Sequence, residues 1–222
     1  MLKKGQRSML EKHWKKFFWS IVRKNFLNLH WERMVSFFKT HPIQKNDIVF
    51  LGDSIIESGH WAEIYSNKSN YSSLSVRNRG INGDTTNLIL KRLSEVISGQ
   101  PSKVFLLVGT NDLWLGEKIE SILNNYQEIL LRFKEESTST KVYVLSILPR
   151  ENFFNTSIKD LNNRLQELLQ NSYDPNYFEY IDIYSAFLAN NNNSIDMKYT
   201  NDELHLNGDG YIKLHNLLNK YI

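Results

Sequence analysis

Five short apolar runs alternate with amphipathic stretches from residue 47 onward, and this alternation constrains the fold more than any other feature. The runs are rich in β-branched and aromatic residues and are short enough to be strands. Continuously apolar strands with a helix after each predict a parallel sheet that is covered on both faces. We therefore expect an α/β protein, a three-layer αβα sandwich with about five strands. The predicted strands lie within 47–52, 73–81, 103–109, 141–149 and 177–187, and the main predicted helices within 86–97, 119–136, 158–169 and 210–222.

The beginning of the chain does not share this pattern and contains most of the positive charge. Residues 1–24 hold eight Lys or Arg against Glu11 alone, about +7, so the rest of the chain carries about −4 of the net charge of +3. A body with this charge argues against a nucleic-acid-binding domain. The sequence predicts two parts: a basic amphipathic helical arm over residues 1–45 and one domain over residues 46–222.

Two helices are expected within the arm, because apolar residues recur at helical spacing in residues 10–21 and again in 31–38. Pro42 would end the second helix. The basic residues 1–24 could contact an anionic membrane surface, or the arm could pack on its own domain, which we favour. No signal peptide is evident, since the apolar run is short and closes with charged residues, so a cytoplasmic location is expected.

Other classes of protein are disfavoured by what the sequence lacks. There is no cysteine, which removes disulfides, thiolate nucleophiles and sulfur-ligated zinc. No HExxH-like spacing of histidines is present, so no metal site is expected. The glycine-rich signatures of nucleotide binding are missing as well. We therefore expect a protein that works without a metal or a cofactor.

Polar clusters follow the first three predicted strands, and a fourth precedes the last helix. Ser54, Gly83 and Asn111 follow the strands in turn, and the segment DELHLN contains Asp202 and His205. In an open parallel α/β sheet, ligands bind beyond the carboxyl ends of the strands. The gaps of 29 and 28 residues between the first three positions each match one βαβ unit. We expect all four clusters at one edge of the sheet.

These residue types are sufficient for acyl transfer. Ser54 would be the nucleophile and His205 its base, with Asp202 orienting the ring. The backbone N–H groups of Ser54 and Gly83 and the side-chain amide of Asn111 would form an oxyanion hole. Each motif alone has an ordinary structural explanation as a helix cap, a turn or a surface pair. Their occurrence together and in order predicts a serine esterase.

The sequence closely resembles the SGNH hydrolases, also called GDSL-type esterases and lipases, over about residues 46–222. The family is named after the catalytic residues of four blocks, and it usually has leucine where Ile55 stands here. Asp202 fits the aspartate that precedes the family's histidine by three residues. The blocks match as Ser54 in IVFLGDSII, Gly83 in NRGINGDTT, Asn111 in VFLLVGTND and His205 in DELHLNGDGY.

The resemblance is closest to the bacterial branch that is similar to platelet-activating-factor acetylhydrolase subunits. It implies a flavodoxin-like domain that hydrolyses short acyl esters, often O-acetyl groups, through an acyl-enzyme. The expected substrate is a small ester, with O-acetylated carbohydrate leading. A lysophospholipase or thioesterase acting on longer chains is the alternative. A different class, a catalytically silent binding module that uses its basic arm, also stays open.

Four apolar side chains near the predicted site are suggested as substrate contacts. Ile55 and Leu204 stand beside the expected nucleophile and base, and Trp61 and Trp114 follow the first and third predicted strands closely. Plain packing is the alternative for the two tryptophans, because large aromatic residues near strand ends are commonly part of the core.

Overall fold

The computed structural model describes residues 26–66, 75–190 and 194–222. Within them, five parallel strands form one sheet in the order β2-β1-β3-β4-β5. This order is that of flavodoxin-like folds, in which the chain changes direction across the sheet between β1 and β3. The predicted α/β architecture and strand number are confirmed. The strands are β1 Ile48–Gly52, β2 Val76–Gly80, β3 Lys103–Leu107, β4 Lys141–Leu145 and β5 Phe178–Ile181.

Helices connect the strands and precede the sheet. The expected single helix over 86–97 is divided in two, because the N–H of Leu93 bonds to the carbonyl of Leu90, three residues back, at 3.4 Å. The α-helices are α1 Asn28–Thr40, α2 Ser54–Glu57, α3 Trp61–Ser66, α4 Thr86–Arg92, α5 Ser94–Ile97, α6 Thr110–Leu115, α7 Ile119–Glu136, α8 Asn152–Ser172 and α9 Gly208–Leu218, and 3₁₀ turns span Ser185–Phe187 and Asn219–Tyr221.

Successive residues of the strands point to opposite faces of the sheet and so build two apolar cores. In β1, Val49 and Leu51 join a core with side chains of α4, α5, α7 and α8. Ile48 and Phe50 join the other core with side chains of α2, α3 and α9. Helices therefore cover both faces, which gives the three layers that the apolar strands predicted.

Phe38 is the buried aromatic side chain with which helix α1 packs on the domain. Phe38 is only 2% exposed, and the guanidinium of Arg79, from β2, lies 4.4 Å from the centre of its ring. Arg79 also donates to the carbonyl of His41 at 2.5 Å, just after the helix ends. This helix corresponds to the second one predicted in the arm.

The first predicted helix of the arm, and with it the suggested membrane contact through residues 1–24, lies outside the described residues. The boundary between residues 45 and 46 stays a prediction. None of the helices in the described ranges is both long enough and apolar enough to span a bilayer.

Candidate active site

The nucleophile candidate, Ser54, lies at the junction between β1 and α2. Asp53 caps the helix, since its carboxylate accepts the N–H of Ile55 at 3.0 Å. Ser54 is the first residue of α2, so its own backbone N–H has no acceptor within the helix. The side chain of Ser54 is mostly buried, with the residue 7% exposed. The turn therefore presents a hydroxyl and an N–H from the same residue.

Three side chains form a continuous hydrogen-bonded chain. The Oγ of Ser54 lies 2.9 Å from Nε2 of His205, and Nδ1 of His205 lies 2.7 Å from Oδ2 of Asp202. A proton on Nδ1 is held by the carboxylate, which leaves the Nε2 lone pair directed at the hydroxyl. The arrangement has the geometry of a serine–histidine–aspartate triad.

The carboxylate of Asp202 is fixed by the turn in which it lies. Its Oδ1 accepts the backbone N–H of His205 at 2.7 Å and that of Leu204 at 3.0 Å. Desolvation raises the pKa of Asp202, but the hydrogen bonds from the ring and backbone of His205 and from Leu204 outweigh it and lower the pKa to about 2. Asp202 is therefore ionised at neutral pH and can stabilise a protonated imidazole.

The two other predicted oxyanion donors are brought together by one backbone carbonyl. Asn111, the second residue of α6, donates its Nδ2 to the carbonyl of Asp84 at 2.9 Å. Gly83 directly precedes Asp84 and has φ +78°, a backbone conformation that glycine adopts without strain. An amide NH₂ group has two hydrogens, so Asn111 keeps a second donor for a ligand.

A second contact joins the segment after β2 to the segment after β3. Asp112, next to Asn111, accepts the hydroxyl of Thr86 at 2.6 Å and the backbone N–H of Thr86 at 3.1 Å. The residues that follow β2 and β3 are thus tied together twice. This contact was not predicted from the sequence, although Asp112 lies inside the GTND segment.

A buried ion pair lies next to the carboxyl ends of β1 and β2. Arg92 lies 2.8 Å from the Oδ2 of Asp84, and both side chains are fully buried. The guanidinium also donates to the carbonyls of Arg79 at 2.7 Å and Gly52 at 3.3 Å, so it links the ends of β1 and β2. The sequence feature that could have indicated this ion pair is an arginine, Arg92, on the apolar face of the predicted helix 86–97.

The residue before the nucleophile has a strongly shifted pKa. Complete burial, and then the nearby carboxylates of Asp84 and Asp112, raise the pKa of Asp53 to about 7, although the N–H of Ile55 and the charge of Arg150 oppose the shift. The surroundings of Asp53 therefore favour the protonated form of its carboxyl more than water does. Arg150 directly follows the fourth apolar run, so the rule that placed Ser54 at a strand end could also have found it.

The structure contradicts two of the suggested substrate contacts. The ring of Trp61 is stacked on Phe50 with centroids 3.9 Å apart, and the residue is 1% exposed. Its Nε1 donates to the carbonyl of Ile56 at 2.8 Å, so its polar atom is also used in packing. Ile55 is 2% exposed within the same core. Both side chains face the interior, since α2 and α3 turn them toward the sheet.

The other two suggested contacts are half-buried. Trp114 lies on α6, three residues after Asn111, and Leu204 directly precedes His205. Their role in substrate binding stays a prediction. No group of three or more His, Cys, Asp or Glu side chains placed to hold a metal ion occurs within residues 26–66, 75–190 and 194–222.

A comparison of the sequence with known protein families agrees with the geometry of the site. Residues 50–212 match the model of the GDSL-like lipase/acylhydrolase family. The chain belongs to this family. Ser54, Gly83, Asn111 and His205 all fall inside the matched region.

Relatives of this GDSL-like hydrolase include the platelet-activating factor acetylhydrolase IB subunit alpha1 of Bos taurus. The two chains are 32% identical over 126 residues, which are 56% of this chain and 52% of the bovine one. The match therefore spans about half the length of that relative.

Solved structures of similar fold include a protein from Streptococcus pneumoniae that is provisionally described as a platelet activating factor. Its TM-score is 0.81 at 27% identity, with 92% of this chain and 98% of the other covered. An acetylxylan esterase from Geobacillus stearothermophilus has a TM-score of 0.67 at 14% identity, with 80% and 94% covered. The second likeness concerns the fold alone.

Proposed function

We propose that this GDSL-like hydrolase cleaves short-chain acyl esters, with acetyl esters of carbohydrates as the leading substrates. The observation that carries the proposal is the hydrogen-bonded chain from Ser54 through His205 to Asp202. A histidine base held in this way can take the proton of a serine hydroxyl as the hydroxyl attacks.

The proposed reaction has two steps. The Oγ of Ser54 forms a bond to the ester carbonyl carbon while Nε2 of His205 takes its proton. The resulting oxyanion accepts hydrogen bonds from the N–H groups of Ser54 and Gly83 and from the amide of Asn111. His205 then returns the proton to the departing alcohol, and an acyl-serine remains.

Water completes the cycle. His205 takes a proton from a water molecule, whose oxygen attacks the acyl carbon, and the proton then returns to the Oγ of Ser54. The carboxylic acid leaves and the hydroxyl is restored. Asp202, ionised at neutral pH, stabilises the imidazolium that forms in each step.

The bovine relative supports a short acyl group, because it is named for acetyl hydrolysis. Carbohydrate is the alcohol that we propose first, and a lysophospholipid or thioester with a longer chain is the second candidate.

Hydrolysis of p-nitrophenyl esters from acetate to long acyl chains tests the proposal. We expect activity that falls with chain length and drops by roughly 10⁶ in kcat in Ser54→Ala. Ser157→Ala, an exposed serine on α8, is the matched control and should behave as wild type. Activity that rises with chain length would favour the lipid substrate.

Release of acetate from an acetylated xylo-oligosaccharide, measured beside hydrolysis of a lysophospholipid, then tests the alcohol part. Preference for the oligosaccharide supports the proposal. A folded wild-type protein without activity on any ester would support the silent binding module instead.

A further inference from the structure

A single carboxylate joins the nucleophile helix, the loop of Gly83 and helix α1. One oxygen of Glu57 lies 2.6 Å from Nε2 of His30, and the other accepts the backbone N–H of Asn82 at 2.7 Å. Glu57 is the last residue of α2, three positions after Ser54, and Asn82 directly precedes Gly83. The side chains of Glu57 and His30 are 23% and 28% exposed, so the contact is largely shielded from solvent.

The residue directly before α1 also meets Gly83. A Cβ atom built on Gly83 would lie 2.9 Å from Cδ1 of Leu27, which directly precedes Asn28, the first residue of α1. Beside this contact, a cavity of about 210 Å³ is bounded by Leu27, Trp31 and Gly83, among others. The first turn of α1 is thus part of the surroundings of the predicted oxyanion donor.

A loop that contains glycine needs such support. Glycine has more conformational freedom than any other residue, whereas an oxyanion hole acts through donors that are already oriented before the reaction. Asn82 is exposed, and its N–H is fixed by Glu57 from outside the loop. A displacement of about 1 Å in such a site can reduce the rate about 10²-fold.

We propose that Glu57 is a positioning residue for the oxyanion hole and that His30 of α1 and Leu27, directly before α1, complete its support. Helix α1 lies outside the matched region 50–212, yet it belongs to the working unit of the enzyme. The proposal rests on the proposed function, because it assigns the Gly83 N–H to the oxyanion.

The side chain of Glu57 contributes little to the stability of its own helix, α2. The end of α2 is fixed by Asn78 of β2, whose amide nitrogen lies within hydrogen-bonding distance of the carbonyls of Ile56 at 3.1 Å, Glu57 at 2.9 Å and Gly59 at 3.0 Å. These bonds use the backbone of Glu57 and not its carboxylate. Loss of the carboxylate should therefore leave α2 and Ser54 in place and release only the loop.

Steady-state kinetics on p-nitrophenyl acetate, with melting temperature measured beside them, test this assignment. We expect Glu57→Ala to lower kcat about 10- to 100-fold with KM changed less than about threefold. Glu57→Gln keeps an oxygen for the N–H of Asn82 and should recover most of the loss. A purely structural role would not produce this separation of kcat from KM or this rescue.

Matched variants on α1 extend the test. Leu27→Ala should lower kcat, whereas Leu29→Ala should not, because Leu29 lies two residues later, on α1, and is 59% exposed. His30→Ala combined with Glu57→Ala should cost no more than Glu57→Ala alone, because both act through one contact.

The outcomes separate this proposal from the proposed function. Wild-type kcat in a folded Glu57→Ala, with hydrolysis still dependent on Ser54, would overturn the positioning role and leave the esterase intact. A loss of kcat in Glu57→Ala that Glu57→Gln does not restore would also overturn it. Absence of any hydrolysis that depends on Ser54 would overturn both.

Discussion

Asn111 donates its side-chain amide to the carbonyl oxygen of Asp84 across 2.9 Å, and this bond couples the loop after β3 to the loop after β2. The amide is thereby oriented before any substrate arrives, with its second hydrogen available. Donors oriented in advance are the effective ones in an oxyanion hole, because they need no rearrangement as charge develops.

The first prediction concerns this amide. Asn111→Ala should lower kcat about 10²- to 10³-fold with a small change in KM, because the donor acts on the oxyanion and not on the ground-state ester. Steady-state kinetics on p-nitrophenyl acetate measure the effect. Asn124→Ala, an exposed asparagine on α7, is the control. Equal losses in the two variants would contradict a specific role for Asn111.

A second prediction concerns the backbone at Gly83. Gly83→Ala places a Cβ at φ +78°, which costs about 1–2 kcal/mol, and brings that atom within 2.9 Å of Leu27 Cδ1. We expect a lower kcat together with a lower melting temperature. Gly208→Ala is the matched control, since a Cβ there meets nothing within 4 Å. Unchanged turnover in Gly83→Ala would show that the loop tolerates the shift.

The strand-end rule explains why much of the site could be predicted. Ser54, Gly83 and Asn111 each follow an apolar run closely, so their shared edge follows from the parallel sheet alone. Glu57 could not be found in this way, because its partners His30 and Asn82 are 27 and 25 residues away and neither separation has a local pattern. Contacts across the fold decide its role.

The suggestion that Trp61 contacts the substrate was wrong for a related reason. Trp61 does follow the end of β1 closely in the sequence. The direction of its side chain, however, depends on how α3 packs on Phe50. Sequence position indicates which edge a residue lies near. It does not indicate which face of a short helix turns inward.

A third prediction follows from Asp53, whose pKa burial raises to about 7. Between about pH 4 and pH 7 the folded protein retains a proton that the unfolded chain releases, so the unfolded state binds fewer protons and stability falls as pH rises. Asp53→Asn keeps an acceptor for the N–H of Ile55 and removes this dependence. The rise of the pKa from 3.8 to about 7 corresponds to about 4 kcal/mol of unfolding free energy lost once the pH exceeds 7, using 1.36 kcal/mol per unit.

Urea unfolding at pH 5 and pH 7 measures this difference. We expect wild type to lose more stability between the two values than Asp53→Asn does. Asp160→Asn, an exposed carboxyl on α8, controls for the change of charge. A wild-type profile in Asp53→Asn would mean that the buried carboxyl does not titrate in this range.

The fourth prediction concerns the ion pair beneath the site. Arg92→Met leaves Asp84 buried without its cation and should cost about 3–5 kcal/mol of unfolding free energy, because an uncompensated buried charge is strongly unfavourable. The double variant Arg92→Met/Asp84→Asn removes both charges and should regain part of the loss. Lys91→Met, exposed on the same helix, should stay within about 0.5 kcal/mol of wild type. Because Arg92 also pairs with Glu95 at 3.1 Å and holds the carbonyls of Gly52 and Arg79, the double variant should not regain full stability. Complete recovery in urea unfolding would show instead that the guanidinium serves only to neutralise Asp84.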